Sequence, residues 1–96
     1  MLDIKSMSII VTGGCTGLGF GMAKQFSEKG ARITICGRRP EKVEEAGAIL
    51  GKNVRAIVAD VTKEDDRNKL VKEAINHGKK IDVLVNNAGN MYRGKI

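Results

Sequence analysis

Short apolar runs recur along the chain at intervals that leave room for a helix between them. Four runs rich in β-branched residues lie at 8–12, 32–36, 54–58 and 83–85. Continuous apolar runs of this length, bounded by glycine or polar residues, are typical of strands buried in a parallel sheet. The pattern therefore predicts four strands.

The segments between the first three strands have the periodicity of amphipathic helices. Leu18, Met22 and Phe26 recur every four residues with polar residues between them, and Gly30 supplies a stop. Pro40 is suited to the first position of a helix because its missing N–H would have no partner there, so a second helix is expected over 41–50.

A third helix is predicted between the third and fourth strands. Thr62, with Asp65 three residues later, resembles a capping box at its start, and the helix should end near Gly78. His77 is expected to cover carbonyl groups at that end. The apolar face is predicted to consist of Leu70, Val71, Ala74 and Ile75.

Strands that alternate with helices through short links define an α/β architecture. This order predicts a parallel sheet with right-handed crossovers and helices on both faces, hence three layers. The expected strand order is 3-2-1-4, that of a Rossmann fold. With 96 residues and no linker or low-complexity tract, residues 1–96 are predicted to belong to one domain.

Composition narrows the classes of partner. A net charge of +6 raises nucleic acid as a partner, but the basic residues alternate with acids, and the chain has one Tyr and no Trp. No apolar stretch reaches the ~20 residues of a membrane span, and the first eight residues do not resemble a signal peptide. We expect a cytoplasmic protein with no nucleic-acid or membrane partner. Its two cysteines should be reduced thiols, and no metal site is expected.

The chemistry is concentrated in a glycine-rich turn between the first strand and the first helix. In Gly13-Gly14-Cys15-Thr16-Gly17-Leu18-Gly19, the first glycine should allow a sharp turn, Gly17 the approach of a pyrophosphate, and Gly19 close helix packing. The helix N-terminus would add N–H groups and a positive dipole end. The spacing lacks the Gly-Lys-Ser/Thr ending of a P-loop, which argues against an ATPase. Glycines also occur in plain tight turns, so this motif alone leaves a structural role open.

Three motifs in order resemble the short-chain dehydrogenase/reductase family: residues 12–19, Asp60-Val61, and Asn86-Asn87-Ala88-Gly89. The resemblance implies an oxidoreductase that binds a nicotinamide dinucleotide. It also implies that Asp60 contacts the adenine amino group, that Val61 lines the adenine pocket, and that the backbone of Asn86 meets the ribose. The cofactor-binding residues it implies are Gly13, Cys15, Thr16, Gly17, Leu18, Gly19, Asp60, Val61, Asn86, Ala88 and Gly89. Two alternatives stay open: Asp60 could cap a turn, and Asn86 and Asn87 could tie strand ends together.

The end of the second strand predicts which dinucleotide is bound. An acidic residue at that position would bind the ribose 2′-hydroxyl of NAD, whereas an arginine accepts the 2′-phosphate of NADP. The sequence has Cys36-Gly37-Arg38-Arg39 and no carboxylate there. We therefore expect NADP(H) to be preferred over NAD(H), with Arg38 as the main ligand and Arg39 in support. The alternative is that both are solvated arginines near the start of a helix.

The family resemblance covers only the N-terminal part of a family whose members are well over twice this length. The catalytic Ser and the Tyr-x-x-x-Lys pair have no matching position, and Tyr92 and Lys95 are separated by two residues rather than three. We therefore expect the 96-residue chain alone to be inactive and its fourth strand to be an exposed apolar edge. A small-molecule substrate and a homo-oligomer are expectations for full-length relatives.

The sequence also resembles one subfamily, and one alternative function stays open. Asn90-Met91 and Gly21-Met22-Ala23 resemble 2,4-dienoyl-CoA reductases, which reduce a conjugated double bond. The alternative function is a catalytically silent dinucleotide-binding module that senses or scaffolds.

Overall fold

A computed structural model describes residues 3–87 of the chain. After a short 3-10 helix at Ile4–Ser6, four strands alternate with three α-helices. The elements are β1 (Ser8–Thr12), α1 (Gly17–Glu28), β2 (Arg32–Gly37), α2 (Pro40–Leu50), β3 (Val54–Val58), α3 (Glu64–Gly78) and β4 (Val83–Asn86). The predicted strands and helices are all present.

The four strands form one parallel sheet in the order β3-β2-β1-β4. The strand order predicted from the sequence is therefore confirmed. In the register, the last residue of β1, Thr12, lies beside Cys36 of β2 on one side and Asn86 of β4 on the other. The carboxyl ends of the three strands consequently lie side by side at one end of the sheet.

Side-chain alternation along the strands divides the core into two clusters. Ile9, Val11, Ile33 and Ile35 point to one face, where Ala23 of α1 and Ala46 of α2 cover them. The other face carries Ile10, Cys36 and Ile57, which pack against Leu70 and Ala74 of α3. The α/β sandwich thus has helices on both faces of the sheet, which confirms the three-layer Rossmann architecture.

The packing face of α1 differs from the predicted one. Leu18 is 73% exposed, and the fully buried residues of the helix are Gly19 and Ala23, with Met22 and Phe26 only half-buried. The helix approaches the sheet so closely that small residues occupy the contact line. The prediction gave weight to side-chain bulk and therefore placed Leu18 on the wrong face.

The start of α3 also differs from its prediction. The hydroxyl of Thr62 donates to Asp60 Oδ1 at 2.7 Å instead of capping the helix, which begins at Glu64 with Lys63 at the N-cap. The Thr62 capping box is therefore wrong. Of the predicted apolar face, Leu70 and Ala74 are buried, whereas Val71 and Ile75 are 43% and 45% exposed.

Polar side chains of α3 lie along β3, one edge of the sheet. Three residues spaced four apart in sequence each contact this strand or the turn before it. The contacts are Lys69 Nζ to Val58 O at 3.1 Å, Glu73 Oε1 to Arg55 Nη1 at 2.9 Å, and His77 Nε2 to Asn53 O at 2.7 Å. The carbonyl that His77 contacts therefore belongs to the turn before β3, rather than to the end of α3 as predicted.

The opposite edge of the sheet is apolar. In β4, Val83 is 37% and Leu84 60% exposed, while Val85 packs against the first core cluster. Among residues 3–87, β4 is thus an edge strand with exposed apolar side chains, as expected.

Candidate functional site

The turn from β1 to α1 lies at the end of the sheet where the carboxyl ends of the strands lie side by side. Gly13 has a φ of +66°, in the left-handed region, so the chain turns sharply as it leaves β1. The N–H of Gly14 then donates to the carbonyl of Cys36 at 3.3 Å, which fixes the turn against the end of β2. The loop is held by the sheet on one side and faces outward on the other.

Gly17 begins α1 with a φ of +60°, and a Cβ placed on it would meet no atom within 4 Å. Its neighbour Thr16 is the N-cap residue, but its side chain makes no capping hydrogen bond. The first-turn N–H groups of α1 are therefore not consumed by a side-chain cap. An open backbone surface at a helix N-terminus fits the approach of a phosphate group.

Gly19 marks the place where α1 touches the turn. A Cβ on this residue would lie 2.4 Å from the carbonyl oxygen of Gly13 and 2.7 Å from Nδ2 of Asn87. Neither contact leaves room for a methyl group. The close packing predicted for Gly19 is therefore present, and it joins the helix to the ends of both β1 and β4.

Hydrogen bonds connect the end of β1 to the end of β4. The hydroxyl of Thr12 lies 3.3 Å from Val85 O and 3.2 Å from Asn86 Oδ1, and it accepts the backbone N–H of Asn87 at 2.8 Å. Asn87 Nδ2 donates to Gly13 O at 3.2 Å. The tying role that was one alternative for both asparagines is confirmed. The backbone contact of Asn86 with a ribose stays a prediction.

A cavity of about 570 Å³ opens beside the glycine-rich turn, at the carboxyl ends of β1, β2 and β3. Its volume is in the range of small-molecule sites. It is lined by Gly13, Cys15, Thr16, Cys36, Gly37, Arg38, Arg39, Lys42, Val43, Ala59, Asp60, Val61 and Thr62.

The structure brings most of the sequence-predicted cofactor residues to this cavity. Those among its lining residues are Gly13, Cys15, Thr16, Arg38, Arg39, Asp60 and Val61. Gly17, Leu18, Gly19 and Asn86 are not among the residues that line it, and Ala88 and Gly89 lie outside the described residues.

Several lining residues were not singled out from the sequence. Gly37 is one of them: a Cβ there would lie 3.1 Å from Cys15 Sγ and 3.3 Å from Val43 Cγ2. The glycine that ends β2 therefore lets the first loop and α2 approach each other. The sequence signal was its position after the β-branched strand. Lys42 is a second such residue, on the first turn of α2.

Asp60 is the carboxylate of the cavity. Its Oδ1 accepts the hydroxyl of Thr62 at 2.7 Å and the N–H of Thr62 at 3.0 Å. These two hydrogen bonds, with a smaller contribution from the charge of Arg38, hold the pKa of Asp60 below its ordinary value. The turn-capping alternative is therefore confirmed, and the same carboxylate is an ionised acceptor at neutral pH. Because a carboxylate has about four lone-pair sites, it can also accept an amino group of a ligand.

The two thiols at the cavity, those of Cys15 and Cys36, are poor nucleophiles. Both cysteines are free, as predicted. Burial raises the pKa of Cys15, helped by Cys36, and burial also raises that of Cys36 against a lowering contribution from the Gly13 backbone. Protonated thiols are poor nucleophiles, so they contribute surface and volume to the site rather than reactivity.

Metal-binding clusters and membrane-spanning helices are absent from residues 3–87. In that range no group of three or more His, Cys, Asp and Glu side chains is arranged to hold a metal ion. None of the described helices is long and apolar enough to cross a membrane.

The fold, the glycine-rich turn and the cavity together describe a dinucleotide-binding class of protein, and comparison with known families gives its family. Residues 7–96 match the family model of the short chain dehydrogenases. The chain therefore belongs to the short chain dehydrogenase family, a family of oxidoreductases, as the resemblance implied.

The relatives it matches are considerably longer. An oxidoreductase of Sarocladium schorii, asL5, is 42% identical over 86 residues, which cover 90% of this chain and 34% of the relative. A peroxisomal 2,4-dienoyl-CoA reductase of Arabidopsis thaliana is 34% identical, over 93% of this chain and 31% of its own. The chain thus spans about a third of the length of these two curated relatives.

A solved structure agrees with the fold. The 3-ketoacyl-(acyl-carrier-protein) reductase of Brucella melitensis, complexed with NADH, superposes with a TM-score of 0.80 at 32% identity. The match covers 84% of this chain and 34% of that one.

Proposed function

We propose that this protein binds NADP(H) in preference to NAD(H), as the nucleotide-binding part of an oxidoreductase. The reaction would transfer hydride between the nicotinamide and a carbonyl, alcohol or enoyl carbon of a small molecule. The observation that carries the cofactor choice is the placement of Arg38 and Arg39 at the cavity, directly after β2. The proposed location is the cytoplasm.

The residues that line the cavity support the proposal that it binds a dinucleotide. The turn at Gly13 to Gly17 offers backbone N–H groups to a pyrophosphate. Beside it, Ala59 and Val61 supply apolar surface for a base, and the ionised Asp60 supplies an acceptor for an adenine amino group. A bound nicotinamide would supply the hydride when reduced and accept it when oxidised. The described residues would hold and orient the adenosine half of the dinucleotide.

Charge supports the phosphorylated form of the cofactor. The first two residues after β2 are Arg38 and Arg39, and both are exposed and line the cavity. Neither makes an ion pair within 4.0 Å among residues 3–87. Guanidinium groups suit a phosphate because they donate in a planar fork. A carboxylate that would bind the 2′-hydroxyl of NAD does not occur at this position.

Calorimetry with both cofactors tests the proposal. NADPH should bind more tightly than NADH, and Arg38→Asp should narrow or invert the preference, since a charge-assisted hydrogen bond contributes about 1.5–3 kcal/mol. Lys52→Asp, an equal change of charge on an exposed turn away from the cavity, is the control and should leave the preference intact. Equal affinities for the two cofactors in the unmodified protein would refute the NADP(H) assignment.

The runner-up function is a silent binding module, and a turnover assay separates the two. Because the 96-residue chain alone is expected to be inactive, a form of the protein that extends through the family's catalytic Ser and Tyr-x-x-x-Lys is incubated with NADPH and a panel of carbonyl and enoyl substrates, and the nicotinamide absorbance is followed. Tight binding without turnover on any of them would favour the sensor or scaffold. The Arabidopsis relative makes 2,4-dienoyl thioesters the first substrates to include.

A further inference from the structure

The basic side of the cavity contains a third cation, Lys42, which the cofactor motifs do not include. Lys42 is on the first turn of α2, two residues after Pro40, and it lines the cavity together with Arg38 and Arg39. Its burial is intermediate, whereas the neighbouring Glu41 is exposed. The side chain is therefore on the cavity side of the helix.

Helix stability does not account for a lysine at this position. The first turn of a helix is the positive end of its dipole, where cations are unfavourable and acidic residues are preferred. Glu45, three residues further on the same helix, is well spaced for an ion pair. Even so, no ion pair within 4.0 Å joins Lys42 to a carboxylate among residues 3–87. Lys42 thus lines the same cavity as two arginines and has no carboxylate within 4.0 Å among residues 3–87.

The charges of the cavity indicate the ligand group that would offset them. Three cations, Arg38, Arg39 and Lys42, share the cavity with one carboxylate, Asp60. That carboxylate already accepts two hydrogen bonds from Thr62. Mutual repulsion between cations in a partly enclosed site is relieved by an anion, and a phosphate monoester carries close to two negative charges at neutral pH.

We infer that Lys42 is a specificity-determining residue, the third cation of the subsite that receives the 2′-phosphate of the dinucleotide. The inference rests on the proposed function, because it assigns a role within the same cavity. Arg38 and Arg39 would donate hydrogen bonds to the phosphate oxygens, and Lys42 would add a charge from the α2 side. The 2′-hydroxyl of NAD(H) would gain little from the same ammonium.

Binding of matched ligand pairs tests this role. Dissociation constants are measured by calorimetry for NADPH and NADH, and for adenosine 2′,5′-bisphosphate and adenosine 5′-monophosphate, which isolate the phosphate. Lys42→Met should weaken the two 2′-phosphorylated ligands about tenfold and change the other two less than about twofold. Lys42→Arg should keep the preference, since it keeps the charge.

Two controls separate the possible failures. Lys52→Met removes a lysine from the exposed turn after α2 and should alter none of the four affinities. The unfolding midpoint of Lys42→Met should match that of the unmodified protein, because no salt bridge is lost. Equal weakening of all four ligands, or of none, overturns the role of Lys42. If the unmodified protein bound neither dinucleotide, the proposed function itself would fall.

Discussion

The side-chain amide of Asn87 donates a hydrogen bond to the carbonyl oxygen of Gly13 at 3.2 Å. The two residues are 74 positions apart, at the ends of β4 and β1. One amide therefore fixes the first residue of the glycine-rich turn to the neighbouring strand. The shape of the glycine-rich turn consequently depends on a residue at the end of the neighbouring strand.

Gly19 lies against both partners of this hydrogen bond, and Gly19→Ala should disturb it. The added methyl would lie 2.4 Å from Gly13 O and 2.7 Å from Asn87 Nδ2, so the helix or the turn must shift. We expect a loss of about 1–3 kcal/mol in the free energy of unfolding, measured by urea denaturation. Gly21→Ala is the matched control on the same helix. A Cβ at Gly21 meets no atom within 4 Å, so that variant should gain about 0.5–1 kcal/mol. A stable Gly19→Ala protein would contradict the close packing.

Gly17→Val should abolish dinucleotide binding and leave the secondary structure largely intact. A Cβ at this position would meet no atom within 4 Å, and the valine side chain would occupy the space proposed for the phosphate beside the backbone. Its φ of +60° adds strain of about 1–3 kcal/mol. Gly51→Val is the control, because Gly51 has a φ of +93° in open space away from the cavity. Circular dichroism and NADPH calorimetry are the measurements. Retained affinity in Gly17→Val would move the binding site elsewhere.

The strands could be predicted from sequence because their signal is local. β1 and β3 have the predicted bounds, since runs of β-branched residues ended by glycine or polar residues have few alternatives. The faces of the helices were harder to predict, as Leu18 shows. Its exposure follows from how closely α1 approaches β1, a distance set by Gly19 and Ala23 rather than by apolar bulk.

The site residues that could be predicted from the sequence are those that belong to a motif or directly follow a strand. Arg38 and Asp60 could be placed because each follows a strand whose carboxyl end meets the others in a parallel sheet. The capping role predicted for Thr62 was wrong because a hydroxyl two residues from a carboxylate can either cap a helix or close a turn. Each of these arrangements gives the hydroxyl one hydrogen bond, so the sequence does not distinguish them. Lys42 belongs to no motif, and its proposed role depends on the rotation of α2, which follows from the burial of Val43 and Ala46.

Thr34→Val should stabilise the protein. The hydroxyl of Thr34 is buried beneath α3 and has no hydrogen-bond partner among residues 3–87, so folding removes it from water without replacement. Valine has the same shape without that group, and we expect a gain of about 1 kcal/mol in the free energy of unfolding. Thr34→Ser keeps the hydroxyl and loses the methyl, and it should be destabilising. Urea denaturation of the three proteins measures both effects. A destabilised Thr34→Val would mean that the hydroxyl has a partner.

Asp82 should make the stability of the protein sensitive to acid. The N–H of Ser8 donates to Asp82 Oδ2 at 2.8 Å, and this bond, then Lys80, lowers the pKa of the carboxyl. A lowered folded-state pKa gives stabilisation that is present above the ordinary carboxyl pKa of about 4 and is lost as the pH falls through the folded value. The stability difference between the unmodified protein and Asp82→Asn should therefore shrink between about pH 5 and pH 2.

Urea denaturation at several pH values measures this difference. Glu44→Gln, an exposed carboxyl with no ion pair within 4.0 Å among residues 3–87, should show no comparable change. A difference that stays constant with pH would show that Asp82 is not selectively stabilised in its ionised form.

The contacts of Lys69, Glu73 and His77 with β3 and the turn before it have a consequence for self-association. A free strand edge invites pairing with another chain, and natural proteins discourage this with charged side chains along the edge. Here the charged side chains come from α3: Lys69 donates to the carbonyl of Val58, the last residue of β3, and Glu73 pairs with Arg55 of the same strand. β3 is therefore a poor template for pairing with a strand of another chain. Among residues 3–87 the two edge strands differ, since α3 covers β3 with polar side chains whereas β4 exposes the apolar side chain of Leu84.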